Sequence, residues 1–139
     1  MYKKEELTSL IIKFYNELSK FSIETSKELG SYDMQIKQFH YLSLIDKNPE
    51  MTSSELSEIL NITKPSVTEI INKLTKFECV YREQSELDKR VFYIKLTEKG
   101  KNIVRLKELS AEKFAKERLD SLTDEEISNF IKIFRKLFS

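Results

Sequence analysis

Apolar residues recur at three- and four-residue spacing near the start of the chain, with lysine and glutamate between them. Such spacing places the apolar side chains on one face of a helix. We expect this helix to run to about Leu29, before Gly30. Its apolar stripe consists of Leu7, Leu10, Ile11, Phe14, Leu18 and Phe21.

The same pattern returns in two other parts of the chain. Near the C-terminus, Thr123 and Glu126 form a capping-box pair ahead of a stripe. Earlier, Asp33 can cap a helix that Asn48 and Pro49 must stop, because proline cannot continue a helix. The C-terminal stripe is Ile127, Phe130, Ile131, Phe134, Leu137 and Phe138, and the earlier helix contains Ile36, Phe39, Tyr41, Leu42 and Ile45.

Residues 51–74 predict a helix, a tight turn and a second helix. Thr52 and Glu55 again suggest a capping box, and a helix of about two turns follows with Leu56, Ile59 and Leu60 facing inward. Asn61 tolerates the left-handed backbone that ends a helix. Thr63 can cap the second helix, in which the early Pro65 loses no needed hydrogen bond.

The second of these helices has one apolar and one polar face. Val67, Ile70, Ile71 and Leu74 share the first, and the other faces carry Ser66, Thr68, Glu69, Asn72, Lys73 and Lys76. Short hydrogen-bonding side chains suit base edges and phosphates in a major groove. A helix face of this kind in isolation is more often simply solvated.

Residues 79–97 change from helical to strand periodicity. Val80–Arg82 and Val91–Leu96 predict two short strands, and the polar segment Gln84–Lys89 predicts the hairpin tip between them. A two-stranded hairpin needs neighbouring helices to be stable, so its tip would project as a wing carrying Lys89 and Arg90. Thr97 then begins a long helix.

Composition supports a mainly α fold, with a small β-hairpin wing. The chain has 139 residues but only two glycines and two prolines, which disfavours a loop-rich or many-stranded architecture. The chain contains no apolar run long enough for a membrane span or a signal sequence, and the single cysteine suits a reducing compartment, so we expect a cytoplasmic protein. The formal charge is only +1, so a nucleic-acid surface must come from a local arrangement of a few cations.

At this point the sequence resembles the MarR family of bacterial and archaeal regulators over nearly its whole length. Three stretches carry the resemblance. They run from Met51 through Ser54-Glu55-Leu56, from Thr63-Lys64-Pro65-Ser66-Val67-Thr68 to Ile71-Asn72-Lys73-Leu74, and from Asp88-Lys89-Arg90 into Ile94-Lys95-Leu96-Thr97-Glu98-Lys99-Gly100.

The resemblance implies a winged helix-turn-helix transcriptional regulator that acts as a homodimer on a near-palindromic operator in double-stranded DNA. It implies a repressor that responds to a small-molecule effector of unknown identity. It implies dimerisation helices at about 1–30 and 101–139 around a DNA-binding lobe at about 33–98, in one MarR-type domain. Asp88 would support the wing. The implied DNA-contacting residues are Ser53, Ser54, Thr63, Lys64, Pro65, Ser66, Thr68, Asn72, Lys73, Lys89 and Arg90.

The resemblance departs at Glu78, where the family usually has glycine, and a non-glycine residue in a left-handed conformation carries strain. Cys79 is expected to be a small buried hydrophobe, and the lone His40 a structural residue. We find no residue pattern for catalysis, for a metal or for a cofactor. Two alternatives stay open: a winged-helix protein-interaction module without DNA readout, and a ligand-binding helical dimer whose ligand has no effect on DNA.

Overall fold

A computed structural model describes residues 3–139. Seven helices and one antiparallel hairpin lie within this range, so the predicted mainly α class with a small hairpin is confirmed. In chain order the elements are α1 (Lys4–Glu28), α2 (Ile36–Lys47), α3 (Ser53–Leu60), α4 (Lys64–Lys76), β1 (Val80–Gln84), β2 (Phe92–Leu96), α5 (Glu98–Val104), α6 (Leu106–Arg118) and α7 (Asp124–Phe138).

The chain divides into two compact units. The winged-helix unit is Ser26–Leu106, and the terminal unit comprises Lys107–Ser139 with the described part of Met1–Thr25. The predicted lobe at about 33–98 falls inside the first of these.

The winged-helix unit has a continuous core. Apolar side chains of α2, α3, α4, both strands and α5 meet there, and several of them have no solvent exposure at all. Because a fully buried aliphatic side chain contributes about 1.5 to 3 kcal/mol, this cluster accounts for much of the unit's stability. Its buried members are Met34, Leu42, Ile45, Met51, Leu56, Val67, Ile71, Leu74, Cys79, Val80, Ile94, Leu96 and Ile103.

The terminal unit is held by aromatic contacts. Phe114 makes edge-to-face contacts with Phe14 and Phe21, at ring-centroid distances of 5.2 and 5.8 Å. Phe134 stacks on Phe130 at 4.4 Å and also contacts Phe14 at 6.2 Å. Such pairs add about 0.5 to 1.5 kcal/mol each beyond their buried area. Helix α7 nevertheless has no buried residue.

Most helix ends form where the sequence predicted them. Asn61 adopts the left-handed conformation, with φ 53° and ψ 49°, and Pro49 follows the end of α2. Thr63 and Thr97 accept hydrogen bonds from the backbone three residues on. Thr123 and Glu126 form the complete capping box, with both hydrogen bonds present.

Asp33 does not cap α2, which corrects one prediction. The helix begins after Gln35, whose backbone N–H donates to the Gln38 side-chain oxygen at 2.8 Å. Asp33 instead lies in a turn in which the N–H of Met34 donates to the carbonyl of Ser31. The turn brings the Met34 side chain into the core, and this tertiary contact outweighs the local capping preference.

Three other predictions are wrong in detail. Ile59 is 51% exposed and so does not face inward with Leu56. Strand β1 extends to Gln84, which shortens the tip of the hairpin. The long helix predicted after Thr97 is interrupted at Arg105, where φ is −87° and ψ is 12°.

Candidate nucleic-acid interface

The proposed recognition helix α4 is capped at its N-terminus and packed into the core along one face. The Thr63 hydroxyl accepts the backbone N–H of Ser66 at 3.3 Å, and the two hydroxyl oxygens lie 2.8 Å apart. Pro65 occupies the first turn, where its missing N–H costs nothing. Val67 and Leu74 anchor the opposite face in the core with no solvent exposure. The outward side chains therefore project from a fixed support.

The outward side chains differ in how free they are to bond a base. The Thr68 hydroxyl donates to the carbonyl of Lys64 at 3.1 Å, so only its acceptor capacity remains. Ser66 shares its hydroxyl with Thr63. Asn72 is exposed, and its amide makes no hydrogen bond within the part of the chain that is described. Asn72 can therefore offer both a donor and an acceptor, the pattern that pairs with adenine.

Other implied contact residues lie on neighbouring surfaces of the same unit. Lys64 and Lys73 are exposed on α4, and Ser53 and Ser54 begin α3, with Ser53 partly covered. Backbone N–H groups at a helix N-terminus attract phosphate, and the first turn of α3 presents such groups. Lys89, on the hairpin, is exposed as well.

The wing tip is built around a fork between Asp88 and Arg90. The Arg90 Nε and Nη2 atoms donate to the two Asp88 oxygens, each at 3.1 Å, and the Arg90 backbone N–H donates to Asp88 Oδ1 at 3.0 Å. These hydrogen bonds, led by the side-chain pair, lower the pKa of the Asp88 carboxyl. The Arg90 side chain is 91% exposed, and the fork leaves three of its five N–H donors for another partner.

Two residues that the sequence interpretation missed hold this tip. Buried Ser85 accepts the backbone N–H of Asp88 through its hydroxyl at 3.3 Å, and Gln84 donates from its side chain to the carbonyl of Lys89 at 2.8 Å. Their position beside the hairpin was visible, but polar residues are ordinary at a turn. Only the structure separates those that brace the wing from those that face solvent.

The base of the wing is tied to the start of α3. The N–H of Ile94 donates to the carbonyl of Met51 at 2.7 Å, and Thr52 forms an isolated antiparallel bridge with Tyr93. Strands β1 and β2 pair in register from Val80 opposite Leu96 to Gln84 opposite Phe92. The wing and the serines that open α3 therefore belong to one connected structure.

The turn after α4 contains a left-handed residue at the position where the family usually has glycine. Glu78 has φ 60°. Its carbonyl accepts the Thr97 hydroxyl at 2.6 Å, and the carbonyl of Cys79 accepts the Thr97 N–H at 2.9 Å. A Cβ on Gly100 would clash with the Cys79 carbonyl oxygen. These contacts fix the end of α4 against the start of α5.

Cys79 and His40 contrast in exposure. Cys79 is fully buried, as predicted, and burial raises the pKa of its thiol. His40 is exposed, with its ring 6.4 Å from that of Tyr41. Within residues 3–139, no group of three or more metal-ligating side chains comes together, and no helix is both long and apolar enough to cross a membrane.

Comparisons with known proteins find related sequences. A family model described as the MarR family matches residues 34–92. An uncharacterized HTH-type transcriptional regulator of Bacillus subtilis, YsmB, is 30% identical over 109 residues, which span 78% of this chain and 75% of that protein.

Two solved structures show the same fold. Streptococcus pneumoniae FabT in complex with DNA is 29% identical with a TM-score of 0.53, and the match covers 96% of this chain and 94% of FabT. The heme sensor protein PefR of Streptococcus agalactiae in complex with heme is 27% identical with a TM-score of 0.52, covering 99% and 92%. The chain belongs to the MarR family of HTH-type transcriptional regulators.

Proposed function

We propose that the protein is a ligand-responsive repressor that binds a near-palindromic operator as a homodimer. The observation that carries the DNA-reading part is the outward face of α4, where Asn72 is exposed with an unengaged amide on a helix capped and anchored at the opposite face. FabT, a relative of similar length, was solved in complex with DNA. We place the protein in the cytoplasm, where it reaches chromosomal DNA, and we assign it no enzymatic activity.

In this proposal the contacts divide into two classes. Ser66, Thr68 and Asn72 read base edges in the major groove, with Asn72 as the main specificity residue because its amide is the least engaged. The remaining contacts position the protein on the sugar-phosphate backbone without reading sequence. We assign this second role to Ser53, Ser54, Thr63, Lys64, Pro65, Lys73, Lys89 and Arg90.

The homodimer is proposed from the apolar surface of the terminal unit. Large apolar side chains stand exposed on α1 and α7, and the exposure of many such side chains marks an interaction surface. A second copy of the same chain would cover both helices by two-fold symmetry. The exposed residues are Leu7, Leu10, Ile11, Ile12, Tyr15, Ile131, Ile133, Leu137 and Phe138.

Duplexes selected from a random pool provide the test of DNA readout. Replacing Asn72 with Ala should weaken binding to the selected site by roughly 1 to 3 kcal/mol and relax preference at one base pair. Replacing Arg90 with Ala should weaken binding to most sequences and reduce the salt slope by about one unit. Lys47, exposed at the end of α2, gives a charge-matched control in Lys47→Ala.

The selected sites should contain two half-sites about one helical turn apart, since each recognition helix of a dimer enters successive major grooves. Failure to bind any duplex at low salt would instead support a protein-interaction module. Unchanged base preference in Asn72→Ala, together with an unchanged salt slope in Arg90→Ala, would reject the docking scheme even if the protein binds DNA.

Sedimentation provides the test of assembly, with a dimer expected at micromolar concentration. Charged substitutions at exposed apolar positions, such as Ile131→Asp with Leu137→Asp, should convert it to a monomer. A chain lacking residues 124–139 that stays monomeric, well folded and fully able to bind the whole operator would reject the dimer.

A further inference from the structure

Leu87 is the most exposed large apolar side chain among the described residues. It is 99% exposed and lies in residues 85–91, which connect β1 to β2 at the tip of the wing. The apolar stripes from which the dimer is proposed belong to the terminal unit, whereas Leu87 belongs to the winged-helix unit. The proposed dimer contact therefore gives no account of Leu87.

The backbone on both sides of Leu87 is held in place. The N–H of Ser85 donates to the carbonyl of Val91 at 2.9 Å, and the N–H of Val91 donates to the carbonyl of Asp88 at 3.0 Å. The hydroxyl of Ser85 accepts the N–H of Asp88, the residue that follows Leu87, at 3.3 Å. Because the tip is already ordered, Leu87 can enter a partner without the entropic cost of ordering a loop.

The charged groups beside Leu87 suit a groove of DNA more than an exposed phosphate. Two carboxylates, Glu86 and Asp88, stand against the two cations that follow them, so the tip has no net charge and gains little from phosphate attraction as a whole. Lys89 is exposed, and the 91% exposed Arg90 keeps three N–H donors beyond its fork with Asp88. Cations inserted into a narrow minor groove meet its enhanced negative potential.

The tip is also continuous with the proposed DNA-contacting surface. Lys89 and Arg90 belong to that surface, and Leu87 precedes Lys89 by two residues. The base of the same hairpin is tied to the start of α3 by the bond from the N–H of Ile94 to the carbonyl of Met51. A duplex that meets the two cations of the wing therefore also meets Leu87.

We propose that Leu87 is a wedge that enters the minor groove of bound DNA and partly unstacks one base step. This inference rests on the proposed function and adds a residue that selects sequence through DNA shape. Leucine is among the apolar side chains that proteins insert between base steps from the minor groove, which kinks the duplex by roughly 20 to 90°. Pyrimidine–purine steps unstack most easily, so the wedge selects such steps without a hydrogen bond to any base.

Duplexes selected from a random pool by the parent protein and by Leu87→Ala give the first test. The parent's sites should contain a TA or CA step at one fixed position per half-site, and Leu87→Ala should lose this preference while keeping the one set by Asn72. The fluorescent base 2-aminopurine, placed at that step, should brighten at least about two-fold when the parent binds, because it becomes unstacked. With Leu87→Ala it should stay near its brightness in the free duplex.

Energy transfer between dyes at the two ends of the duplex measures the bend. Leu87→Ala should reduce the bend by at least about 20° and the affinity by about five-fold, with an unchanged salt slope because no phosphate contact is lost. Leu87→Met, which keeps a long apolar side chain, should bend the duplex as the parent does. The control is Ile36→Ala, at an 89% exposed apolar position at the start of α2, which should change neither bend nor affinity.

The outcomes separate the wedge from the proposed function. If Leu87→Ala keeps the bend, the 2-aminopurine signal and the step preference of the parent, the wedge is rejected and the proposed function stands. A loss of affinity in Leu87→Ala with no change in bend or brightness also rejects the wedge, because it indicates a groove contact without unstacking. A protein that binds no duplex at low salt rejects the proposed function and the wedge together, so the two failures are distinguishable.

Discussion

The two units of this chain bury their apolar side chains to very different extents. Within the described residues, every buried hydrophobic side chain except Phe21 belongs to the winged-helix unit. The helix with the strongest apolar stripe, α7, belongs to the terminal unit, and no residue of α7 is buried. Equally apolar patterns in the sequence thus have different outcomes in the structure.

This difference shows where each unit obtains its stability. The winged-helix unit is complete as a single chain, because its core is enclosed by its own helices and hairpin. The terminal unit leaves side chains such as Leu137 and Phe138 mostly exposed, and its stability should increase when a second copy covers them. Stability in the first unit should therefore not depend on protein concentration, whereas stability in the second should.

The largest expected effect compares Leu42 with Leu137, which are 0% and 66% exposed. Leu42→Ala should lower the free energy of unfolding by about 2 to 5 kcal/mol, because it leaves a cavity in the core. Leu137→Ala should cost less than about 0.5 kcal/mol at concentrations where the protein is monomeric, and more where it is a dimer. Chemical denaturation at several concentrations measures both. Equal losses at the lowest concentration would remove the distinction between the units.

A thiol exposed in the terminal unit should react with a labelling reagent at least about 100-fold faster than Cys79 in the winged-helix unit. Burial raises the pKa of Cys79, so its thiol stays protonated and inaccessible in the folded protein. A cysteine introduced as Leu137→Cys in a Cys79→Ser background should react quickly in dilute protein and slowly in the dimer. Rapid labelling of native Cys79 would show that the winged-helix core opens readily.

The raised thiol pKa makes the free energy of unfolding depend on pH. The unfolded chain ionises Cys79 at a lower pH than the folded chain does, so the stabilisation from the buried, protonated thiol is fully present below the ordinary thiol pKa. It is lost as the pH rises through the folded pKa, and Cys79→Ser should remove this alkaline dependence.

A smaller loss is expected at Gly100. The Cβ of Gly100→Ala would clash with the Cys79 backbone carbonyl, which cannot move without disturbing the Thr97 hydrogen bond. We expect a loss of about 1 to 3 kcal/mol in the free energy of unfolding. Lys101→Ala, at an exposed position on the same helix, is the control. A neutral Gly100→Ala would mean that α5 is not packed tightly against this turn.

The smallest effect should be a gain at Glu78. Its left-handed backbone is costly for any residue with a Cβ, whereas glycine adopts it freely but loses more entropy on folding. Glu78→Gly should therefore raise the free energy of unfolding by about 0.5 to 1 kcal/mol, as measured by denaturation. Glu78→Ala, which keeps the Cβ and removes the charge, should not reproduce the gain. If it does, charge and not backbone strain is the cause.

The features predictable from the sequence were those that depend on neighbours a few residues away. Thr63 and Thr123 cap the helices that follow them, and Asn61 takes the left-handed turn, because these interactions are local. The break at Arg105 was not predictable. No proline and no glycine lies next to it, and the direction of α5 is set by Thr97 and Gly100, which contact the turn after α4.

The candidate site shows the same division. Sequence identified the outward residues of α4 and the charged pair of the wing, since helical periodicity and a hairpin pattern locate them. It could not rank Thr68 below Asn72, because that depends on a hydroxyl that bonds its own helix. Nor could it predict the cleft between α2 and α4, which Lys37 and Lys76 both line, because tertiary packing brings these two helices together.

The bridge between Thr52 and Tyr93 has a consequence for self-association through strands. With Met51 and Thr52 on one side and β1 on the other, β2 has no open edge along this stretch, so only the outer edge of β1 is available for strand addition. That edge belongs to a strand only five residues long, in which Arg82 and Glu83 are exposed. Short, charged edges resist cross-chain β-pairing. The wing should therefore remain free of amyloid-like stacking even where many copies of the protein crowd together.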